Sequence, residues 1–189
     1  RDGFIMSEGA GALVLESLAH ARARGATILG LIEGCGEAAD GFHRTRSSPD
    51  GKPIVACMRR ALEDAGIGPD SVDYVNAHGT STPENDKMEW VGLTTVFGDR
   101  AGRIPVSSNK SMIGHTLTAA GAIEAIFTLL TIRNGLLPPT INYETPDPAI
   151  PIDCVPNTAR PGTVRHAISN SFGFGGQNVC LVLGAAPQD

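Results

Sequence analysis

Short apolar runs alternating with stretches of helical periodicity constrain this chain more than any other feature. Ala10–Leu15, Ile28–Cys35, Val72–Ala77, Ile104–Ser107, Val164–Ser169 and Val179–Leu183 are too brief for helices and read as strands. Between them, Ser17–Arg24 is rich in alanine and arginine and stops at Gly25, which predicts a helix with a glycine terminator. Ile54, Val55, Met58, Ala61, Leu62 and Ala65 recur at helical spacing until Gly66. Pro83, followed by Glu84 and Asp86, suits the first turn of a helix that runs to Phe97. Ala119–Ile132 is apolar on most sides and predicts a centrally buried helix. Asp40–Lys52 reads as an exposed loop, and Pro138, Pro139, Pro146, Pro148 and Pro151 mark an irregular connection. Strands alternating with helices imply a layered α/β fold, and the paired terminal strands imply a mixed sheet.

Composition narrows the classes of function. At 189 residues the chain is long enough to bury a core as one domain. Its net charge is −5, and it has no basic cluster beyond Arg22/Arg24 and Arg59/Arg60, which disfavours nucleic-acid binding. Cys35, Cys57, Cys154 and Cys180 lie far apart without metal-ligand spacing, and each is read as a reduced core thiol of a cytoplasmic protein. No run approaches the ~18 apolar residues of a membrane span, and no secretory leader is visible. The opening Arg1-Asp2-Gly3-Phe4 reads as mid-fold sequence, so the chain is expected to be part of a larger polypeptide.

Three loops carry chemistry. In Asn76-Ala77-His78-Gly79-Thr80-Ser81-Thr82, an imidazole stands at the end of a strand, where a rigid sheet can hold it. The hydroxyls that follow suit either a helix cap or the hydrogen bonding of an amide-bearing arm. In Lys110-Ser111-Met112-Ile113-Gly114-His115, the glycine permits close backbone approach or an unusual φ. Glu124, the only acid of the following apolar helix, needs a partner there, and Lys110 is the candidate. Asn170-Ser171-Phe172-Gly173-Phe174-Gly175-Gly176-Gln177-Asn178 sets two aromatics among glycines, which suits either a movable wall beside an apolar tunnel or core packing. Its spacing does not fit a phosphate loop. Two imidazoles could aim two N–H donors at one developing oxyanion.

Together, in this order and spacing, the three loops resemble the C-terminal half of an elongating β-ketoacyl-acyl carrier protein synthase, across nearly the whole chain. The resemblance implies one half of the thiolase-type α/β/α/β/α sandwich, spanning residues 1–189, in which two similar halves share a buried helix layer. It implies that His78 and His115 hydrogen-bond the malonyl thioester oxygen through Nε2 and stabilise the enolate formed on loss of CO2. Lys110 corresponds to the family's lysine, and Glu124 to its acidic partner. Thr80 and Thr82 correspond to the phosphopantetheine-binding pair, and Phe174 to the gating aromatic, with Phe172 behind it. No segment resembles the family's nucleophilic-cysteine motif, which would lie in an N-terminal half.

The implied reaction is decarboxylative condensation of an acyl-enzyme with malonyl-acyl carrier protein in fatty acid elongation. It needs no resident cofactor, because the phosphopantetheine belongs to the carrier protein. The implied partners are that carrier, the N-terminal half and a second copy in a homodimer. Two alternatives stand beside this reading: a non-catalytic, chain-length-determining subunit and a polyketide-type ketosynthase. Glu84-Asn85 and Gln177 depart from the family's usual residues and bear on substrate preference.

Overall fold

The computed structural model of the chain describes residues 1–187. Its helices are α1 (Leu18–Ala23), α2 (Lys52–Asp64), α3 (Pro83–Phe97), α4 (Lys110–Ile113) and α5 (Ala120–Asn134). Its strands are β1 (Leu31–Ala39), β2 (Tyr74–Asn76), β3 (Pro105–Ser107), β4 (Leu136–Leu137), β5 (Asp153–Cys154), β6 (Arg160–Pro161), β7 (His166–Phe172) and β8 (Gln177–Gly184). Six of the strands form one mixed sheet in the order β1-β8-β7-β2-β3-β5, while β4 and β6 make a separate pair. The β7–β8 and β8–β1 pairs are antiparallel, and β7, β2, β3 and β5 run parallel.

Helices α2 and α3 cover one face of the sheet, where Ile54, Met58, Leu93, Ile168 and Val182 share a core. Helix α5 packs against β7 and β8 from the other face, giving three layers. The close contact of α2 with β1 depends on Gly36, because a Cβ there would lie 1.9 Å from Cys57 O and 2.4 Å from Ala61 N.

Helix boundaries follow local chemistry. Ser17 caps α1 by accepting from His20 N–H at 3.2 Å, and Thr82 caps α3 by accepting from Asn85 N–H at 3.2 Å. Pro83 occupies the first position of α3, and α3 ends at Phe97 before Gly98. The expected strand over Ile28–Cys35 lies three to four residues further on, because β8 continues alongside β1 as far as the Ala39↔Gln177 pairing.

Three expectations need correction. Ala10–Leu15 is not a buried strand: it finds no neighbouring edge to satisfy its backbone, and Val14 is 88% exposed. Helix α5 is not surrounded, because within this chain the sheet covers only one side of it. Its buried positions are Ala120, Glu124, Ala125, Thr128 and Thr131, whereas Leu130 is 44% exposed. Of the four thiols, Cys57 and Cys180 are buried, but Cys154 is only partly buried and Cys35 is exposed.

Gly36→Ala should lower stability by at least about 1–3 kcal/mol, since α2 must move off β1 to admit the methyl. Gly121→Ala, whose Cβ would meet nothing closer than Ser171 Oγ at 3.6 Å, should be neutral or slightly stabilising within α5. Urea denaturation of both variants beside the parent chain checks the contrast.

Candidate active site

The parallel strands bring the three chemical loops to one edge of the sheet. Strands β2, β3 and β7 point the same way, so the segments that follow Asn76, Ser107 and Ser169 emerge together. Ligands in such sheets gather beyond the carboxyl ends of the strands. The His78 and His115 rings accordingly lie 5.4 Å apart at 81°, and Phe172 packs 5.8 Å from His78. Phe4 closes the other side of His115 at 4.9 Å.

Both imidazoles are held neutral. Burial, then the nearby Lys110 charge and the competing His115 imidazole, pushes His78 well below the usual histidine value of 6.5. Burial, then Lys110, lowers His115 as well. The Leu117 N–H donates to His115 Nδ1 at 3.1 Å, so the proton of the neutral ring sits on Nε2, free to donate. Leu117 adopts φ +54° to make that turn. The His115 backbone is gripped on both sides by the start of the chain. His115 N–H donates to Ile5 O at 2.7 Å, and Ser7 N–H donates to His115 O at 3.0 Å. Gly114 permits this approach, because a Cβ there would stand 2.8 Å from Ser7 Oγ and 2.9 Å from Ile5 O.

Below the histidines, Lys110 Nζ donates to Glu124 Oε1, and both side chains are buried. Burial pushes the Glu124 carboxyl up to about 7 against the pull of Lys110. This contact joins α4 to α5 beneath the His115 loop. Asn76 Nδ2 extends the polar layer, donating to Asn109 Oδ1 at 2.7 Å and to Glu124 O at 3.4 Å.

Glu89 is a residue the motif reading missed. Its carboxylate accepts from His78 N–H at 3.0 Å, Gly79 N–H at 2.9 Å and Asn170 Nδ2 at 3.1 Å. It therefore fixes the backbone of the first histidine loop and ties it to β7. A signal was present: Met88, Glu89, Gly92, Leu93, Val96 and Phe97 make up the buried stripe of α3, and Glu89 is the one acid on it.

The remaining candidates divide. Thr80 Oγ1 and Thr82 Oγ1 lie 2.9 Å apart, and Thr82 also supplies the α3 cap. Between them Ser81 adopts φ +59°, a conformation that costs a non-glycine residue about 1–3 kcal/mol. Phe172 is buried against His78, but Phe174 projects from the hairpin tip, 74% exposed. Core packing therefore suits Phe172 and does not describe Phe174. None of the four thiols looks activated: burial pushes Cys57 up to about 12, Cys180 well above the usual range, and Cys35 and Cys154 upward.

Comparison with known proteins agrees with this arrangement. Residues 29–144 match the family described as beta-ketoacyl synthase, C-terminal domain. The chain belongs to the β-ketoacyl synthase family. The domain is 50% identical over 183 residues to 3-oxoacyl-[acyl-carrier-protein] synthase 2 of Coxiella burnetii, covering 97% of this chain and 44% of that one. It is 51% identical to the same-named protein of Rhizobium meliloti, covering 97% of this chain and 43% of that one. The chain thus spans about half the length of the curated relatives it matches.

Among solved structures it is similar to a beta-ketoacyl synthase from Burkholderia phymatum STM815, with 40% identity and TM-score 0.85 over 91% of this chain and 41% of that one. A type II PKS acyl-carrier protein in complex with its ketosynthase gives TM-score 0.96 at 41% identity, over 99% of this chain and 46% of that one. The fold is that of the C-terminal half of a thiolase-type condensing enzyme. Among the described residues, no helix is long and apolar enough to cross a membrane.

Two measurements test the site. Lys110→Met leaves a buried carboxyl without its partner and should cost about 3–5 kcal/mol, while adding Glu124→Leu should recover much of that loss. Equilibrium unfolding of the single and double variants reads the difference.

The second test is a pH profile. The unfolded chain binds protons at His78 below pH 6.5 and the folded chain resists them, so this contribution is complete above 6.5 and is lost as pH falls. Glu89 and Glu124, both raised by burial, act in the opposite direction. His78→Gln should therefore flatten the acid-side fall in unfolding free energy relative to the parent, by at most about 1.4 kcal/mol per pH unit, as read by urea denaturation across that range.

Proposed function

We propose that the chain, over residues 1–189, forms the C-terminal half of a β-ketoacyl-acyl carrier protein synthase of the fatty acid elongating type. The single observation that carries this reading is the pair of neutral imidazoles at 5.4 Å, one with its proton fixed on Nε2 by a backbone donor to Nδ1. In the proposed step, the bond between the malonyl α-carbon and its carboxylate breaks and CO2 leaves. The electron pair passes into the thioester as an enolate, whose oxygen accepts from Nε2–H of His78 and of His115. The enolate carbon then attacks the acyl thioester carbonyl, a carbon–carbon bond forms, and a cysteine thiolate departs. That cysteine, and with it the acyltransferase activity, would belong to an N-terminal half.

In this scheme Lys110 and Glu124 hold the His115 loop, and Thr80 and Thr82 receive the amide-bearing arm. Phe174 is the mobile aromatic at the tunnel mouth. The arm is the phosphopantetheine of an acyl carrier protein, so no resident cofactor takes part. The proposed partners are that carrier, the N-terminal half and a second copy of the complete protein, acting in the cytoplasm. The relatives named 3-oxoacyl-[acyl-carrier-protein] synthase 2 support the fatty acid pathway. Similarity to the ishigamide ketosynthase/chain length factor keeps a second reading in view, a polyketide ketosynthase or its silent partner. The assembled His78, His115 and Lys110 favour an enzyme, because a subunit that only shapes a tunnel has no use for two neutral donors.

In the complete synthase, His78→Ala and His115→Ala should each slow malonyl decarboxylation by about 100- to 1000-fold while leaving acylation of the cysteine measurable. Separate radiolabel assays of CO2 release and acyl transfer decide this. Undiminished decarboxylation in both variants would overturn the oxyanion role. A complete protein that accepts acyl groups but never condenses them would favour the silent partner.

A further inference from the structure

Every polar group of Ser81 is held from outside its own loop. Its N–H donates to Asp86 Oδ1 at 3.1 Å, its carbonyl accepts from Gly3 N–H at 2.9 Å, and its hydroxyl oxygen accepts from Asp2 N–H at 3.4 Å. Asp86 in turn accepts from Arg1 Nε through Oδ2 at 3.1 Å. A second arm of the same guanidinium reaches Asp147 Oδ2 at 2.5 Å, in the proline-rich connection. One side chain thus joins the start of the chain, the N-terminal turn of α3 and a distant loop. Burial pushes the Asp86 carboxyl upward, with its contacts to Asn85 and Arg1 opposing, so Arg1 helps keep this carboxylate charged and accepting.

The consequence falls on the two threonines. In an extended strand, alternate residues share a face but stand about 7 Å apart. The left-handed turn at Ser81 instead brings the Thr80 and Thr82 hydroxyl oxygens to 2.9 Å. We infer that Arg1 is a positioning residue: through Asp86 it holds Ser81 in that turn and so places both threonine hydroxyls as one site for the amide-bearing arm of a thioester substrate. This rests on the reading of the loop proposed above. Arginine suits the task because its planar fork spans two carboxylates, whereas a lysine ammonium is a single point charge.

The test combines two readouts on Arg1→Met, Arg1→Lys and Asp147→Asn. In the full chain, amide hydrogen exchange at Ser81 should accelerate at least about tenfold in Arg1→Met and less in Asp147→Asn, which leaves Asp86 its partner. In the complete synthase, Arg1→Met should raise KM for the malonyl thioester about tenfold with little change in kcat, and Arg1→Lys should restore part of the loss. Unchanged exchange and unchanged KM in Arg1→Met overturn the inference, as does an equal fall in kcat. Should Arg1→Met fail to fold, Asp86→Ala breaks the same tie at its other end, and wild-type exchange and KM there also overturn the inference. A wild-type synthase without malonyl condensation would instead defeat the functional reading, whereas Ser81 exchange reports on the tie itself.

Discussion

Lys110 and Glu124 are ionisable side chains placed where water does not reach, and removing either would leave the other buried without its partner. Their contact sets the separation between α4 and α5, and with it the height of the His115 loop above the helix layer. The Lys110 charge also falls on both imidazoles and disfavours their protonation. Burial, with the Lys110 charge adding to it, therefore favours the uncharged form of both donors. Glu89 plays the complementary part under His78, holding backbone N–H groups where a side chain would have been less rigid. The two buried acids, from different helices, support the two histidines from below.

Much of this was legible in the chain. Ser17, Thr82 and Pro83 mark helix starts, and Gly25, Gly66 and Gly98 mark helix ends, because capping and termination are local chemistry. The Lys110–Glu124 pairing could be anticipated for a similar reason, since an isolated acid in an apolar helix requires a counter-charge. Glu89 escaped notice because its partners in the His78 loop are backbone groups, which leave no mark in a residue pattern, so only its place on the apolar stripe of α3 pointed to it. Arg1 escaped because its two carboxylates lie far along the chain. Ala10–Leu15 misled, since apolar character shows a wish to be covered but does not say which element does the covering. The same holds for Cys35, whose neighbours suggest a core position that the edge strand β1 does not provide.

Helix α5 shows how the three-layer fold and the half-length match fit together. Its side toward the sheet carries Glu124, Thr128 and Thr131, while Ile123, Ile126 and Phe127 are only partly buried and Leu130 is exposed. A helix on the outside of a finished protein normally shows the reverse order. Within the proposed two-half assembly, the apolar side is where the counterpart helix would sit. The polar side has a local purpose: Thr128 bonds back to Glu124 O at 2.7 Å within the helix that carries the ion pair.

The grip of Ile5 and Ser7 on His115 has a bearing on how the molecule comes into being. Those contacts close a loop of more than half the chain. Long closures lose much entropy before any contact rewards them, and folds dominated by them form slowly. Strands β2 and β3 and the hairpin of β7 with β8 can pair before the first residues thread across the sheet edge. The donor geometry would then arrive last, after the scaffold has set. During synthesis, the opening segment would wait, unpaired and apolar at Ile5 and Met6, until the loop it clasps had been made.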